Sequence, residues 1–176
     1  MKRLIGLTLI MLLTSAGAAL AAEAKIGYVD LQKALNLSVA GKAAKEKISG
    51  KVKEYETIVE SRQEELRKLK EELEKKALLL SETARADKER DYQQKLKEFQ
   101  RFTKDIQEEL QQQDADHTRR ILEELFQVIK EVGVKEKYTL VLEKTESSIL
   151  FADDQIDLTA RIIKAYDARF ATESTK

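Results

Sequence analysis

The chain has no cysteine, no proline, no tryptophan and a single histidine, His117. Without cysteine there are no disulfides, no thiolate metal sites, no cysteine nucleophile and no cysteine-linked lipid anchor. One histidine cannot build a two-histidine metal site. At a helical seam position near Gln113 it reads as a polar interruption facing a wet gap between helices, rather than as a titrating functional group. The glycines, Gly6, Gly17, Gly27, Gly41, Gly50 and Gly133, form no G-x-x-x-x-G-K-[ST] loop, so no phosphate cradle is expected. Ser147 and Ser148 lack a nucleophile motif. Asp153, Asp154 and Asp157 lack the glycine and downstream glutamate of a calcium loop. The reading is a protein without catalysis, cofactor or metal.

Charge of one sign is also lacking, with 32 Lys+Arg against 32 Asp+Glu. Nucleic-acid binding rests on phosphate neutralisation by a basic face, so it is not expected. With 36% charged and 6% aromatic residues, the chain is too polar to wrap one large globular core. Long helices suit it better.

Met1-Lys2-Arg3, the apolar run Leu4 to Leu13 and the small-residue stretch ending Ala19-Leu20-Ala21 have the order of a secretory signal peptide over 1–21. The alternative, an uncleaved anchor, is poorer because only the first half of Leu4 to Ala22 is strongly apolar and a span wants ~20 such residues. From Ile48 the apolar residues step by fours and threes through Val52, Tyr55, Val59, Leu66, Leu69, Leu73 and Leu80, with Arg62 and Lys76 in the two missing positions. That is a coiled-coil seam. Glu64, Glu71 and Glu72 each precede a lysine by four residues, the favourable helical orientation. The register breaks near Leu79-Leu80-Ser81, where Ser81 reads as an N-cap. A second seam then runs Tyr92, Leu96, Phe99, Thr103, Ile106, Leu110, Gln113, His117, Ile121, Leu125, Val128 and Val132. Gly133 is expected to stop it as a left-handed cap. Two such helices around a short break predict an antiparallel hairpin, each arm roughly 60 Å or more; one continuous rod is the alternative.

Strand-prone runs occupy the ends. Ala24-Lys25-Ile26-Gly27-Tyr28-Val29-Asp30 precedes the hairpin. Tyr138 to Lys144 and Ser148 to Ala152 follow it around a polar turn and predict a β-hairpin. Leu158, Ile162, Ile163, Tyr166 and Phe170 then mark an amphipathic helix capped by Asp157. The predicted class is α+β, mainly α: a small β body with a long antiparallel helical hairpin projecting from it. Three short strands leave edges open, and sheets of that size are marginal alone. A homo-oligomer would close them.

The segments KIGYVDLQKALNLSVAGKAA and KYTLVLEKTESSILFADDQIDLTARIIKAYD, with the charged hairpin between them, resemble the Skp/OmpH family of periplasmic chaperones over essentially the whole chain after the leader. The resemblance implies a periplasmic homotrimer with a β-barrel-like body. Three hairpins would enclose a cavity for unfolded outer-membrane β-barrel proteins. It places Ile26, Tyr28 and Val29 in the first body strand, Leu140, Val141 and Leu142 in the second, and Ile149, Leu150 and Phe151 in the third. Leu158, Ile162, Ile163 and Tyr166 would cover the body. The corresponding division is a body of 22–40 with 133–176 and an arm of 41–132, its tip near 79–86. Familiar members are strongly basic, whereas this chain is balanced and has Gln111-Gln112-Gln113 on the return arm, so contact with lipopolysaccharide or anionic membranes does not carry over by residue.

The functional reading is an ATP-independent holdase. Client contacts are expected at Leu78, Leu79, Leu80, Phe99 and Phe102, apolar patches between solvated charges. The alternative is a periplasmic coiled-coil adaptor whose arms dock one folded partner.

Overall fold

The computed structural model describes residues 24–76 and 79–173. The expected leader over 1–21 and the candidate Leu78 lie outside the described residues. Strand β1 (Ile26–Val29) runs into helix α1 (Leu31–Leu37), started by Asp30, whose carboxylate accepts the Lys33 N–H at 2.8 Å. The Asp30 N–H in turn donates to the hydroxyl of buried Thr159 at 2.9 Å. After a sharp corner at Ser38 comes α2 (Val39–Lys76), about 57 Å of helix at 1.5 Å per residue. Ser38 is fully buried. Its hydroxyl donates to the Leu35 carbonyl at 3.2 Å and accepts the Gly41 N–H at 3.1 Å. Asp167, far along the chain, accepts the Val39 N–H at 2.8 Å, so the first turn of α2 is capped from two sides.

Helix α3 (Glu82–Lys135) returns antiparallel to α2, about 81 Å long. The connection is tight: the Lys76 carbonyl accepts from Leu79 N at 2.9 Å and Leu80 N at 3.1 Å, and Ser81 caps α3 by accepting the Ala84 N–H. The hairpin is therefore formed and the continuous rod is not. The seams pack as their periodicity requires, with Leu66, Ile106, Ile121, Leu125 and Val128 buried. Arg62, which interrupts the first seam, lays its guanidinium 4.0 Å over the Phe102 ring, and Tyr55 meets that ring edge-on at 6.5 Å.

Gly133 does not end α3. The helix continues to Lys135, no described glycine has positive φ, and the left-handed residue is Lys137 at φ 57°. Tyr138 N donates to the Gly133 carbonyl at 2.9 Å and Lys137 N to that of Val134 at 3.2 Å. This is a Schellman turn with lysine at the left-handed position. Burial of Val128 and half-burial of Val132 carry the helix past the glycine. Gly133→Ala is therefore expected to stabilise the protein by about 0.5–1 kcal/mol, since nothing lies within 4 Å of the added carbon. A left-handed cap would give the opposite sign in a thermal or urea melt.

Strand β2 (Leu140–Glu143) pairs with β1 in parallel, from Ile26 opposite Leu140 to Val29 opposite Glu143. Parallel neighbours need a long crossover, and here the whole helical hairpin is that crossover. The expected third strand does not form within the protomer. Residues 144–148 turn, Ser148 takes φ 50°, and Ile149, Leu150 and Phe151 follow without strand pairing. The other edge of β1 is already occupied by Asp157 and Leu158: Tyr28 bridges Asp157, and Leu158 N donates to the Tyr28 carbonyl at 2.8 Å. A short 3-10 turn (Asp154–Ile156) leads into this edge, and helix α4 (Thr159–Glu173) follows it. Asp157 accepts the Thr159 N–H at 2.7 Å, one residue earlier than a regular cap.

One apolar core joins strand, corner and helices at the root of the hairpin. Val29, Ala34, Ala40, Ile121, Leu125, Val128, Leu158, Ile162 and Tyr166 are its buried members. The Tyr166 hydroxyl donates to Glu124 at 2.5 Å, which satisfies the one polar tip in that core.

Candidate functional site

The candidate site has two parts, an apolar surface around the small sheet and the flanks of the arm. At the sheet, the nine residues predicted to close an oligomer separate. Tyr28 and Val29 are buried within the protomer, and Val141, Leu142 and Ile149 are half-buried. Ile26 and Leu140 remain 42% and 47% exposed, Leu150 is fully exposed and Phe151 is 88% exposed. Of the covering helix, Leu158, Ile162 and Tyr166 are buried and Ile163 is half-buried. The outer edge of β2 has no strand beside it among the described residues. Val134, 76% exposed, and Phe126, 54% exposed, lie nearby in the chain on α3. Periodicity gave no signal for these two, because both fall off the seam that identified the helix.

On the arm, Leu79 projects from the tip at 86% exposure, whereas Leu80 is half-buried. Phe99 and Phe102 are half-buried in the seam, and Phe102 is engaged by Tyr55 and Arg62. They are thus structural residues of the hairpin with only their margins available. The structure does not gather the four described client candidates into one patch.

Charge pairs clothe the flanks. The expected helical pairs are present: Glu64 with Lys68 at 3.6 Å, Glu71 with Lys75 at 3.2 Å and Glu72 with Lys76 at 3.8 Å. Others cross between the helices, Glu72 with Lys88 at 3.0 Å and Glu65 with Lys95 at 2.8 Å. Sequence reasoning missed the strongest crossing. Glu109 accepts from Tyr55 Oη at 2.8 Å, Lys51 Nζ at 3.1 Å and Gln113 Nε2 at 2.7 Å. Gln113 is a same-helix neighbour four residues on, and only the folded register adds Lys51 and Tyr55 from α2.

These contacts fix the electrostatics of the arm. Hydrogen bonds from Tyr55 and Lys51 hold Glu109 below its ordinary value of 4.5, and Lys95 and Lys88 do the same for Glu65 and Glu72. A carboxyl lowered on folding stabilises the folded arm fully above its unfolded value, and that stabilisation disappears as pH falls through the lower folded value. Far-UV circular dichroism melts are expected to be flat from neutral pH to about 5, then to fall on further acidification. Glu109→Gln should flatten part of that fall. A melting temperature that rises on acidification would contradict the assignment.

Among the described residues no helix is long and apolar enough to cross a membrane, and no cluster of metal-ligating side chains occurs. The described residues offer extended, solvated, mostly charge-paired surface above an apolar, open-edged root.

Comparison with known proteins bears on both parts. Residues 25–166 match a family described as outer membrane protein (OmpH-like). A protein of Aquifex aeolicus (strain VF5), described only as uncharacterized, is 24% identical over 139 residues, which is 79% of this chain and 83% of that protein. A Caulobacter crescentus CB15 crystal structure, described as an OmpH-like outer membrane chaperone, superposes with a TM-score of 0.77 at 20% identity. The match covers 84% of this chain and 86% of the other, and at that identity it speaks for the fold.

Proposed function

Since the chain belongs to the OmpH-like family, we propose that it is an ATP-independent holdase chaperone of the periplasm, which keeps unfolded outer-membrane β-barrel proteins soluble before they insert. The observation that carries this reading is the protomer's own incompleteness. A long two-helix arm stands on a root whose apolar residues Ile26, Leu140, Leu150 and Phe151 remain in water. Large apolar side chains left exposed beside an open sheet edge mark a candidate association face. A homotrimer, the number that the family resemblance implies, would close the sheet edges and set three arms around a common space.

Unfolded barrel strands alternate apolar and polar residues, and in water they aggregate through their edges and lipid-facing side chains. Arms clothed in charge pairs, with apolar groups at Leu79, at Phe126 and at the margins of Leu80, Phe99 and Phe102, give many weak contacts rather than one deep site. Multiplicity supplies avidity while each contact breaks easily. No nucleotide step is needed, because release follows when the client buries far more apolar surface in the membrane. Most flank lysines and arginines are met by carboxylates, so attraction to anionic lipid is not part of the proposal.

The test is dilution of a urea-unfolded outer-membrane β-barrel protein into buffer with excess mature chain and no nucleotide. Light scattering should stay near baseline, and native mass spectrometry should show a trimer carrying one client. Scattering that rises as fast as in buffer alone, with saturable binding of a single folded protein instead, would replace the holdase by the adaptor.

A further inference from the structure

At the root of the arm, between the α1–α2 corner and the middle of α3, lies a cavity of about 230 Å³. Its wall includes apolar Leu35, Ala44 and Ile121, while Asn36, Lys45 and Asp114 stand at its margin. The volume is below the ~300–1,000 Å³ that encloses a small-molecule ligand, and of the order of one large side chain. Lys45 on α2 and Asp114 on α3 line the same space from facing helices, and among the described residues no ion pair joins them. An extended peptide presents one N–H donor and one C=O acceptor at each residue, and these lose free energy when buried without partners. A carboxylate, an ammonium and an amide around an apolar floor match that demand.

We propose that this cavity is an anchor for one apolar side chain of an extended client peptide, with Asp114 receiving a peptide N–H and Lys45 donating to a peptide carbonyl. The proposal rests on the holdase reading and deepens it. It puts a defined, shallow socket at the base of each arm, while the flanks above supply only diffuse contacts. Strands that alternate apolar and polar residues would offer a suitable side chain at every second position. The socket would therefore accept many registers of one client and many clients.

His117 also lines the cavity and is the protein's only histidine, so its ring gives one unobstructed NMR reporter. The probe is a peptide of about ten residues alternating Leu or Phe with Ser, titrated into the assembled protein carrying ¹³C-labelled histidine. The control peptide has every apolar residue changed to Ser. The His117 ring signal should shift saturably with the first peptide and not with the control. Ala44→Leu, which fills the floor, should abolish the shift and weaken peptide binding roughly tenfold. Thr118→Leu serves if that variant fails to fold.

Three results would overturn the anchor. An unmoved ring signal while the peptide binds and aggregation is still suppressed places the contacts elsewhere and leaves the holdase standing. A shift that follows protein concentration without peptide assigns the cavity to a second copy. Failure of both peptide binding and aggregation suppression removes the holdase and the anchor together.

Discussion

Gly41→Ala is expected to lower the melting temperature of the protein by roughly 10 °C, equivalent to about 3 kcal/mol or more. The added carbon would stand 1.7 Å from the Leu35 carbonyl oxygen, 2.9 Å from its carbon and 3.1 Å from the Ser38 hydroxyl. The first two are backbone atoms in α1, so no side-chain rotation relieves the clash. The corner itself must open. Opening it withdraws Ser38 from the Gly41 N–H and tilts α1, which contributes Ala34 to the core, away from α4. Gly50→Ala is the control on the same helix: nothing lies within 4 Å of its added carbon, so it should be neutral or slightly stabilising. Equal thermal melts for the two variants would show that the corner is not as tight as its geometry states.

Leu150→Ser combined with Phe151→Ser is expected to leave each protomer folded and to take the assembly apart. Both side chains are almost wholly in solvent within the protomer, so the helical content should not change. If each is buried on association, its loss costs about 1.5–3 kcal/mol. The pair then raises the subunit dissociation constant by roughly 10²- to 10⁴-fold. Sedimentation velocity at low micromolar protein should show the monomer. Leu79→Ser at the tip, a residue of similar exposure, should leave the mass unchanged, which separates a defined interface from general stickiness. An intact oligomer in the double variant would move the association face away from this loop, toward Val134 and Phe126.

The arm was legible in the sequence because it repeats. Two seams, their polar interruptions and the Ser81 cap follow from local periodicity and local hydrogen bonding, and the apolar residues assigned to the seams are all buried or half-buried, whereas Arg62 and Lys76 are exposed. The root was legible only in part, because its decisions are made between distant segments. Composition marks Ser148 to Ala152 as strand-prone, yet a strand needs a neighbour, and the free edge of β1 goes to Asp157 and Leu158. Gly133 carries the residue type of a helix terminator, but packing of Val128 beneath it overrides the propensity and passes the left-handed turn to Lys137. The Asp167 cap on α2 and the Lys51 and Tyr55 donors to Glu109 join residues that only the fold makes neighbours, and the tight contact at Gly41 exists only because the chain turns sharply at Ser38. Of the candidate contact residues, the sequence could mark them as apolar but not say which were consumed by the hairpin.

The parallel pairing of β1 and β2 makes the arm a ruler for the body. The strands are separated by the entire hairpin, so closing them from a flexible chain would be slow, whereas zipping the helices from the tip uses only local contacts. Zipping, however, offers more than one alignment: a seam displaced by one heptad still pairs apolar residues. Such a slip would offset the returning chain by about 10 Å at 1.5 Å per residue, enough to carry Leu140 past a four-residue partner strand. The crossing contacts Glu72–Lys88, Glu65–Lys95 and Glu109–Lys51, spaced from tip to root, each fit one alignment. Their stabilisation as surface pairs is small, but as a set they decide whether the two halves of the sheet arrive at the same height, and so whether a protomer leaves folding able to assemble at all.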